Sequence, residues 1–354
     1  MAIMETPHIP GYRIERIIGS GAMSTVYLAV QESLDRRVAL KVLAPTMAAD
    51  PTFSKRFVKE GKIIAKLAHP HIVTIYDTGA YQDQSYIAME YLEAGTLKER
   101  IKAGLNPGQA VKVLVQIALA LGYAHRQNCI HRDIKPANIL FRDQETAVLS
   151  DFGIAKNLED KTQLTAVGWR IGTPNYMSPE QALGKPLDAR CDLYSLGVVF
   201  YEALTGTRPY KGADAFETAI LHVKGPIPIL PEPLRRFQPV IDRVLAKTPE
   251  KRFANAEELA QAVRQAALAS TPLRTPRHER KWSFSALIQG LSNLIVPKFP
   301  RHGRKWSPSG LIQDLSNLIA RKSPRHGRKW TPWIIAALLA AAVAGLWALL
   351  AYWF

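Results

Sequence analysis

The sequence is poor in cysteine, with only Cys129 and Cys191 among 354 residues. Two thiols cannot build a disulfide framework, and no charged-then-apolar leader opens the chain, so the expectation is a reducing compartment rather than a secreted, stapled fold. Acidic side chains are scarce in one stretch: residues 272–332 hold 13 basic and 2 acidic side chains, whereas residues 1–271 hold 33 and 28. Formal side-chain charge vanishes altogether in the last 22 residues, Trp333 to Phe354. An apolar fraction of 47% excludes a wholly disordered chain. These deficits divide the chain into a nearly neutral globular domain, a strongly basic connecting segment and an apolar terminus.

As a helix, the uncharged terminus spans about 33 Å at 1.5 Å per residue, which matches a hydrocarbon core of roughly 30 Å. Trp333 at one end and Tyr352 with Trp353 at the other suit the two headgroup levels, and Arg325, Arg328 and Lys329 mark the near side as cytoplasmic. The expectation is a transmembrane helix over 333–354, with a buried soluble helix as the alternative. The basic segment, 269–332, repeats itself without gaps: residues 277–300 align with 301–324, and the pattern restarts at Arg325. Within each copy the apolar residues recur at helical spacing, Leu287, Ile288, Leu291, Leu294 and Ile295, then Leu311, Ile312, Leu315, Leu318 and Ile319. Preceded by Arg-His-x-Arg-Lys-Trp, such a helix fits the interface of an anionic membrane. A mostly disordered spacer remains the alternative. Nucleic-acid binding is not expected, because no groove-reading fold accompanies the charge.

The domain ahead of these segments carries a series of motifs in order. Ile18-Gly19-Ser20-Gly21 opens a turn between two β-rich runs and leads on to Val26; such a loop lets backbone N–H groups approach phosphates without Cβ interference. Val38-Ala39-Leu40-Lys41 is an apolar strand ending in one lysine, and Glu60 follows on a helical stretch over Phe53 to Leu67. A strand lysine held by a helix glutamate points an ammonium at nucleotide phosphates. His131-Arg132-Asp133-Ile134-Lys135-Pro136-Ala137-Asn138 and Asp151-Phe152-Gly153 then supply a carboxylate base and two oxygen ligands for a hard cation.

In this order and spacing, the motifs resemble the protein kinase superfamily, specifically the eukaryotic-like (Hanks-type) Ser/Thr protein kinases of bacteria, over Tyr12 to Leu268. The resemblance implies an α+β bilobal fold, with a small β-rich lobe and a helical lobe, to which the transmembrane helix is appended. It implies ATP and Mg²⁺ as cofactors. Ile18, Gly19, Ser20, Gly21 and Val26 would cover ATP, Ala39, Val26 and Leu140 would sandwich adenine, and Glu90 to Leu92 would form the hinge after Met89. Lys41 would contact the α- and β-phosphates and pair with Glu60. Asn138 and Asp151 would hold the metal, Asp133 would orient the acceptor hydroxyl, and Lys135 would touch the γ-phosphate. Thr173 would bond Asp133 and Lys135, Thr162 and Thr165 would be autophosphorylation candidates, Asp192 would brace the catalytic loop, and Arg252 would pair with Glu180.

Three features depart from the family pattern or bear on it. Ser24 stands where a third glycine is usual, Ser178 replaces the alanine of Ala-Pro-Glu, and Gly61 inside the Glu60 helix costs about 1 kcal/mol of helix propensity. The last suggests a mobile helix and a switchable Lys41–Glu60 pair. The function expected is a Ser/Thr protein kinase acting on protein hydroxyls, single-pass in a bacterial inner membrane with its kinase domain cytoplasmic. Homodimers on the membrane surface are compatible with it, and a catalytically silent scaffold is the competing class.

Overall fold

The computed structural model describes residues 7–21, 23–152 and 174–269. Gly153, Thr162, Thr165, Thr173, the 24-residue repeats and the apolar terminus lie outside the described residues. Among the described residues no helix is long and apolar enough to cross a membrane.

The first lobe is an antiparallel five-stranded sheet in the order β1-β2-β3-β5-β4, made of β1 (Tyr12–Ser20), β2 (Ser24–Gln31), β3 (Arg36–Leu43), β4 (Ile75–Tyr81) and β5 (Gln84–Glu90). Between β3 and β4 run a short helix α1 (Pro45–Ala48) and α2 (Pro51–Ile64). The period-2 alternation of β3 divides its side chains between two apolar clusters. Val38, Leu40 and Val42 join Tyr12, Tyr27, Ala29 and Ala88 on one face. Ala39 and Leu43 join Val73, Ile87, Met89 and Leu92 on the other, so Lys41 shares the face that looks toward the second lobe. Each large apolar side chain removed from water in this way stabilises the lobe by about 1.5–3 kcal/mol.

Helix α2 begins earlier than the sequence pattern predicts and ends earlier too. Asp50 accepts a hydrogen bond from the Thr52 N–H at 2.8 Å and Pro51 occupies the first helical position, which together fix the start. Gly61 lies on the face of α2 that meets the sheet. A Cβ there would stand 2.8 Å from Thr78 Oγ1 and 3.1 Å from Ile87 Cγ1, so glycine is set by close helix-to-sheet approach. The expectation that Gly61 loosens the helix is therefore replaced by a packing role.

The second lobe contains α3 (Leu97–Ala103), α4 (Pro107–Arg126), the hairpin β6 (Ile139–Phe141) and β7 (Ala147–Leu149), then α5 (Pro179–Ala182), α6 (Arg190–Thr205), α7 (Ala215–Lys224), α8 (Gln238–Val244) and α9 (Ala256–Leu268). Thr96 with Glu99 and Asn106 with Gln109 form capping boxes at the starts of α3 and α4. Leu114, Ile117, Leu121, Leu196, Phe200, Ile241 and Leu259 share one buried core. The lobes are stitched by Val73, whose N–H donates to Leu149 O at 2.9 Å, and by Leu149, whose N–H donates to His71 O at 2.9 Å. The hairpin that ends at Asp151 is thus held against the segment entering β4.

Candidate active site

Four pieces of chain converge at the cleft: the β1–β2 turn, β3, the loop from His131 to Asn138, and Asp151 after β7. In the turn, the Gly21 N–H donates to Ser24 O at 2.9 Å, and Gly19 lies opposite Val26. Cβ atoms built at Gly19 and Gly21 would meet the protein only at an ordinary 3.7 Å, so the protein's own packing does not demand glycine there. Small residues there leave room for an incoming group, and the register shift between Ile17 and Gly19 is a second reason for glycine in this turn. Ser24 is the first residue of β2 and its C=O closes this turn, a backbone role compatible with a side chain in place of the third glycine.

Below the turn, Ile18, Val26, Ala39, Leu92 and Leu140 belong to one apolar cluster with Met89 and Val73. The residues expected around adenine are therefore gathered from five separate stretches of chain. Glu90 is held from the opposite lobe: Arg142 Nε and Nη2 donate to its two carboxylate oxygens at 2.6 and 2.9 Å, and Arg142 Nη1 donates to Pro70 O at 2.9 Å. This bidentate clamp fixes the backbone between β5 and α3, and no local sequence signal marks it, because the two residues are 52 positions apart.

Lys41 Nζ lies 2.9 Å from Asp151 Oδ1. Glu60 is buried and lines the same small cavity as Lys41, Asp151, Phe152 and Met89, and acts on the lysine as a longer-range charge. Among the described residues the carboxylate at ion-pair distance from Lys41 is that of Asp151, not that of Glu60, which the resemblance implies. Burial alone would lower the Lys41 pKa, but Asp151, Glu60 and Asp133 outweigh it and hold the lysine charged. Burial would likewise raise the Asp151 carboxyl, yet Lys41, by its charge and its hydrogen bond, and Lys135 keep it below its usual value. Asp151 adopts φ 51°, a left-handed conformation rare outside glycine.

Asp133 receives a hydrogen bond from Lys135 Nζ at 2.7 Å and one from Asn138 Nδ2 at 3.1 Å, both on Oδ2. Asn138 Nδ2 also donates to Asp133 O at 2.9 Å, which turns its Oδ1 to the other side. Beneath them His131 is fully buried: its Nε2–H donates to Ser150 O at 2.9 Å and its Nδ1 accepts from the Asp133 N–H at 3.2 Å. That pattern requires the neutral ring, and burial lowers the His131 pKa accordingly. Phe152 packs its ring 4.5 Å from that of His131.

The loop is braced from α6. Asp192 accepts the N–H groups of His131 at 2.8 Å and Arg132 at 2.7 Å, and His125 Nε2 at 2.8 Å. Burial would raise its pKa, but these hydrogen bonds and the histidines keep the carboxyl below the usual range. Arg132 is thereby held at φ 65°, the strained conformation that aims the neighbouring Asp133 into the cleft. Ser178 caps α5 with Gln181, and Gln181 Nε2 donates to Arg132 O at 2.9 Å, so serine in place of alanine ties this short helix to the catalytic loop. Arg252 and Glu180 form a buried bidentate pair at 2.6 and 2.7 Å, and the remaining guanidinium N–H groups reach backbone carbonyls of Ala246, Arg190 and Lys247. His125, Ser150, Gln181 and Arg142 complete the site; as lone residues of common type they carry no sequence motif.

Asn138 Oδ1 and the Asp151 carboxylate offer hard oxygen donors in an incomplete shell. That set fits Mg²⁺, which retains waters and substrate phosphate oxygens as its other ligands.

Comparison with known proteins agrees with this geometry. Residues 12–264 match the protein kinase domain family. The chain is 40% identical over 268 residues to the serine/threonine-protein kinase PknB of Mycobacterium leprae, covering 72% of this chain and 42% of the relative. It is 40% identical over 261 residues to the serine/threonine-protein kinase PrkC of Bacillus subtilis, covering 72% of this chain and 40% of the relative. The chain therefore spans about two fifths of the length of these curated relatives. The crystal structure of the Mycobacterium tuberculosis PknI kinase domain superposes with a TM-score of 0.60 at 30% identity, covering 75% of this chain and all of that domain. The chain belongs to the protein kinase domain family, and it stands with the Ser/Thr protein kinases of bacteria.

Proposed function

We propose that the chain is an active Ser/Thr protein kinase that moves the γ-phosphoryl group of ATP to protein hydroxyls, tethered to the cytoplasmic face of a membrane by its apolar terminus. The observation that carries the catalytic reading is the convergence of Asp133, Lys135 and Asn138 on one side of the cleft with Lys41 and Asp151 on the other. Mg²⁺ held by Asn138 and Asp151 would neutralise charge on the β- and γ-phosphate oxygens. Asp133 orients the acceptor hydroxyl and takes its proton. An ordinary carboxylate suffices because transfer is largely dissociative, so positioning and electrostatics lower the barrier more than early deprotonation does. Lys135, hydrogen-bonded to Asp133, stands where it would steady the transferred group, and Lys41 would steady the α- and β-phosphates.

Thr162 and Thr165 remain candidates for autophosphorylation, with Arg132 as the group that would receive the phosphate. Membrane tethering is supported by the 22-residue uncharged run and the basic segment before it. Purified protein should transfer label from γ-labelled ATP to itself or to a generic basic acceptor, and Asp133→Asn should not. Equal labelling by the two proteins would refute the mechanism. For the tether, the full chain should resist extraction of membranes with alkaline carbonate, and deletion of residues 333–354 should release it.

A further inference from the structure

The helix that carries Glu60 has an outer face of one charge sign. Lys55, Lys59 and Lys62 recur along α2 at helical spacing, Lys66 continues the row in the following turn, and Arg56 lies beside it; all five are exposed. The one acidic residue within α2, Glu60, is buried on the opposite face. None of the five basic groups has a carboxylate oxygen within 4.0 Å among the described residues. Neighbours in the row rise about 4.5–6 Å apart along the axis, inside a screening length of about 10 Å, so they act on an outside charge together.

We propose that this face of α2 is a docking surface for an anionic lipid bilayer, and that contact there is how the kinase domain senses the membrane. Several features favour lipid over an acidic protein or a nucleic acid. Four of the five members are lysine, a compact point charge on a flexible stem that needs no planar, bidentate partner. Phe57 and Ile64 of the same helix are buried in the lobe, so the face offers no aromatic platform or apolar anchor of the kind that protein or single-stranded nucleic acid partners use. The same chain also carries 13 basic against 2 acidic side chains in residues 272–332, followed by an uncharged 22-residue run, so other parts of it are suited to the same surface. Docking would act on catalysis through Glu60. Lys41 is paired with Asp151 in this structure, and a load on the outer face of α2 bears directly on whether Glu60 approaches Lys41. This inference extends the membrane tether proposed above, but it concerns a different segment.

Residues 1–275 form one compact unit, and the PknI kinase domain, which aligns over its whole length, was crystallised by itself, so this fragment is suited to the test. Its sedimentation with phosphatidylcholine vesicles and with vesicles containing phosphatidylglycerol should be compared with that of a Lys55→Gln/Lys59→Gln/Lys62→Gln/Lys66→Gln variant. A control variant, Lys98→Gln/Lys102→Gln/Lys185→Gln/Lys224→Gln, removes the same charge from exposed positions of the other lobe. Each basic group near an anionic surface is worth about fivefold in binding. The wild type and control should therefore bind the anionic vesicles alone, and the α2 variant should lose binding by at least an order of magnitude. Equal binding by the α2 variant and the control, or no vesicle binding by the wild-type fragment, would overturn the proposal. So would competition by soluble polyglutamate or by DNA at matched charge that displaces the fragment while lipid does not retain it, since either assigns the face to another partner. None of these results bears on the tether, which is read from the full chain.

Discussion

Replacing Asp192 by Asn asks whether one buried carboxylate holds the catalytic loop in its working shape. Three donors converge on it, the N–H groups of His131 and Arg132 and His125 Nε2, all within 2.8 Å. Asparagine keeps the shape but offers one acceptor oxygen and one NH₂, so at least one of the three donors then faces another donor. Hydrogen bonds to a charged acceptor contribute about 1.5–3 kcal/mol each, and a buried donor left unmatched costs about 1–3 kcal/mol. The expected loss is about 3–5 kcal/mol, against a total stability of about 5–15 kcal/mol for an ordinary domain. Part of the effect is local, because Arg132 sits at φ 65° and a left-handed residue relaxes at a gain of about 1–2 kcal/mol once its N–H is released. That relaxation moves Asp133, the next residue, and misplacement by about 1 Å costs on the order of 10²-fold in rate. The carboxyl pKa is lowered by folding, so its contribution is complete above the usual carboxylate value of about 3.9 and is lost only as pH falls through the lower folded value. The comparison therefore belongs at neutral pH. Urea unfolding gives the stability, and single-turnover phosphotransfer under conditions where both proteins are folded gives the rate, which should fall far more than ATP affinity. A variant within about 1 kcal/mol of wild type and equally fast would show that the loop is held by something else.

Other perturbations test separate parts of the reasoning. Gly61→Ala should destabilise the protein by about 1–3 kcal/mol through overpacking, despite a helix-propensity gain of about 1 kcal/mol, and adding Thr78→Ala should recover part of the loss in thermal unfolding. Arg252→Ala leaves Glu180 buried without its partner and should cost about 3–5 kcal/mol, whereas the double change Arg252→Met/Glu180→Leu should cost much less when both are measured by denaturant titration. Arg142→Ala, which releases the half-exposed clamp on Glu90, should change stability by no more than about 1 kcal/mol while raising KM for ATP more than it lowers kcat. Burial and the Lys247 charge lower the His222 pKa from 6.5 to about 4. A base whose folded pKa is depressed stabilises fully above its ordinary value, so acidification from pH 6.5 toward 4 should remove up to about 3 kcal/mol. His222→Gln should flatten that part of the stability-versus-pH curve.

Local chemistry made much of the fold legible. The Gly19-Ser20-Gly21 turn between β-rich runs and the apolar strand carrying Lys41 are signals carried by a few adjacent residues, because turn and strand preferences act within a short stretch of chain. The apolar alternation in β3 likewise follows from the geometry of a single strand. Gly61 shows the limit of that reading. Its effect on helix propensity is a local quantity, whereas its closeness to Thr78 and Ile87 arises only when α2 meets the sheet. Ser178 resembles a neutral replacement in the sequence, and its meaning appears once Gln181 is seen to reach Arg132.

The sequence by itself determined that the motifs stand in a kinase order and singled out Lys41, Asp133, Asn138 and Asp151 as candidates for the chemistry, since motif spacing is a property of the chain. Tertiary structure alone decided how those groups are held: that Lys41 meets Asp151, that Asp192 grips the loop from 60 or more positions away, and that Arg142 clamps Glu90. A buried carboxylate's charge, partner and pKa depend on which distant donors and charges surround it, and that is fixed only when the core closes around it.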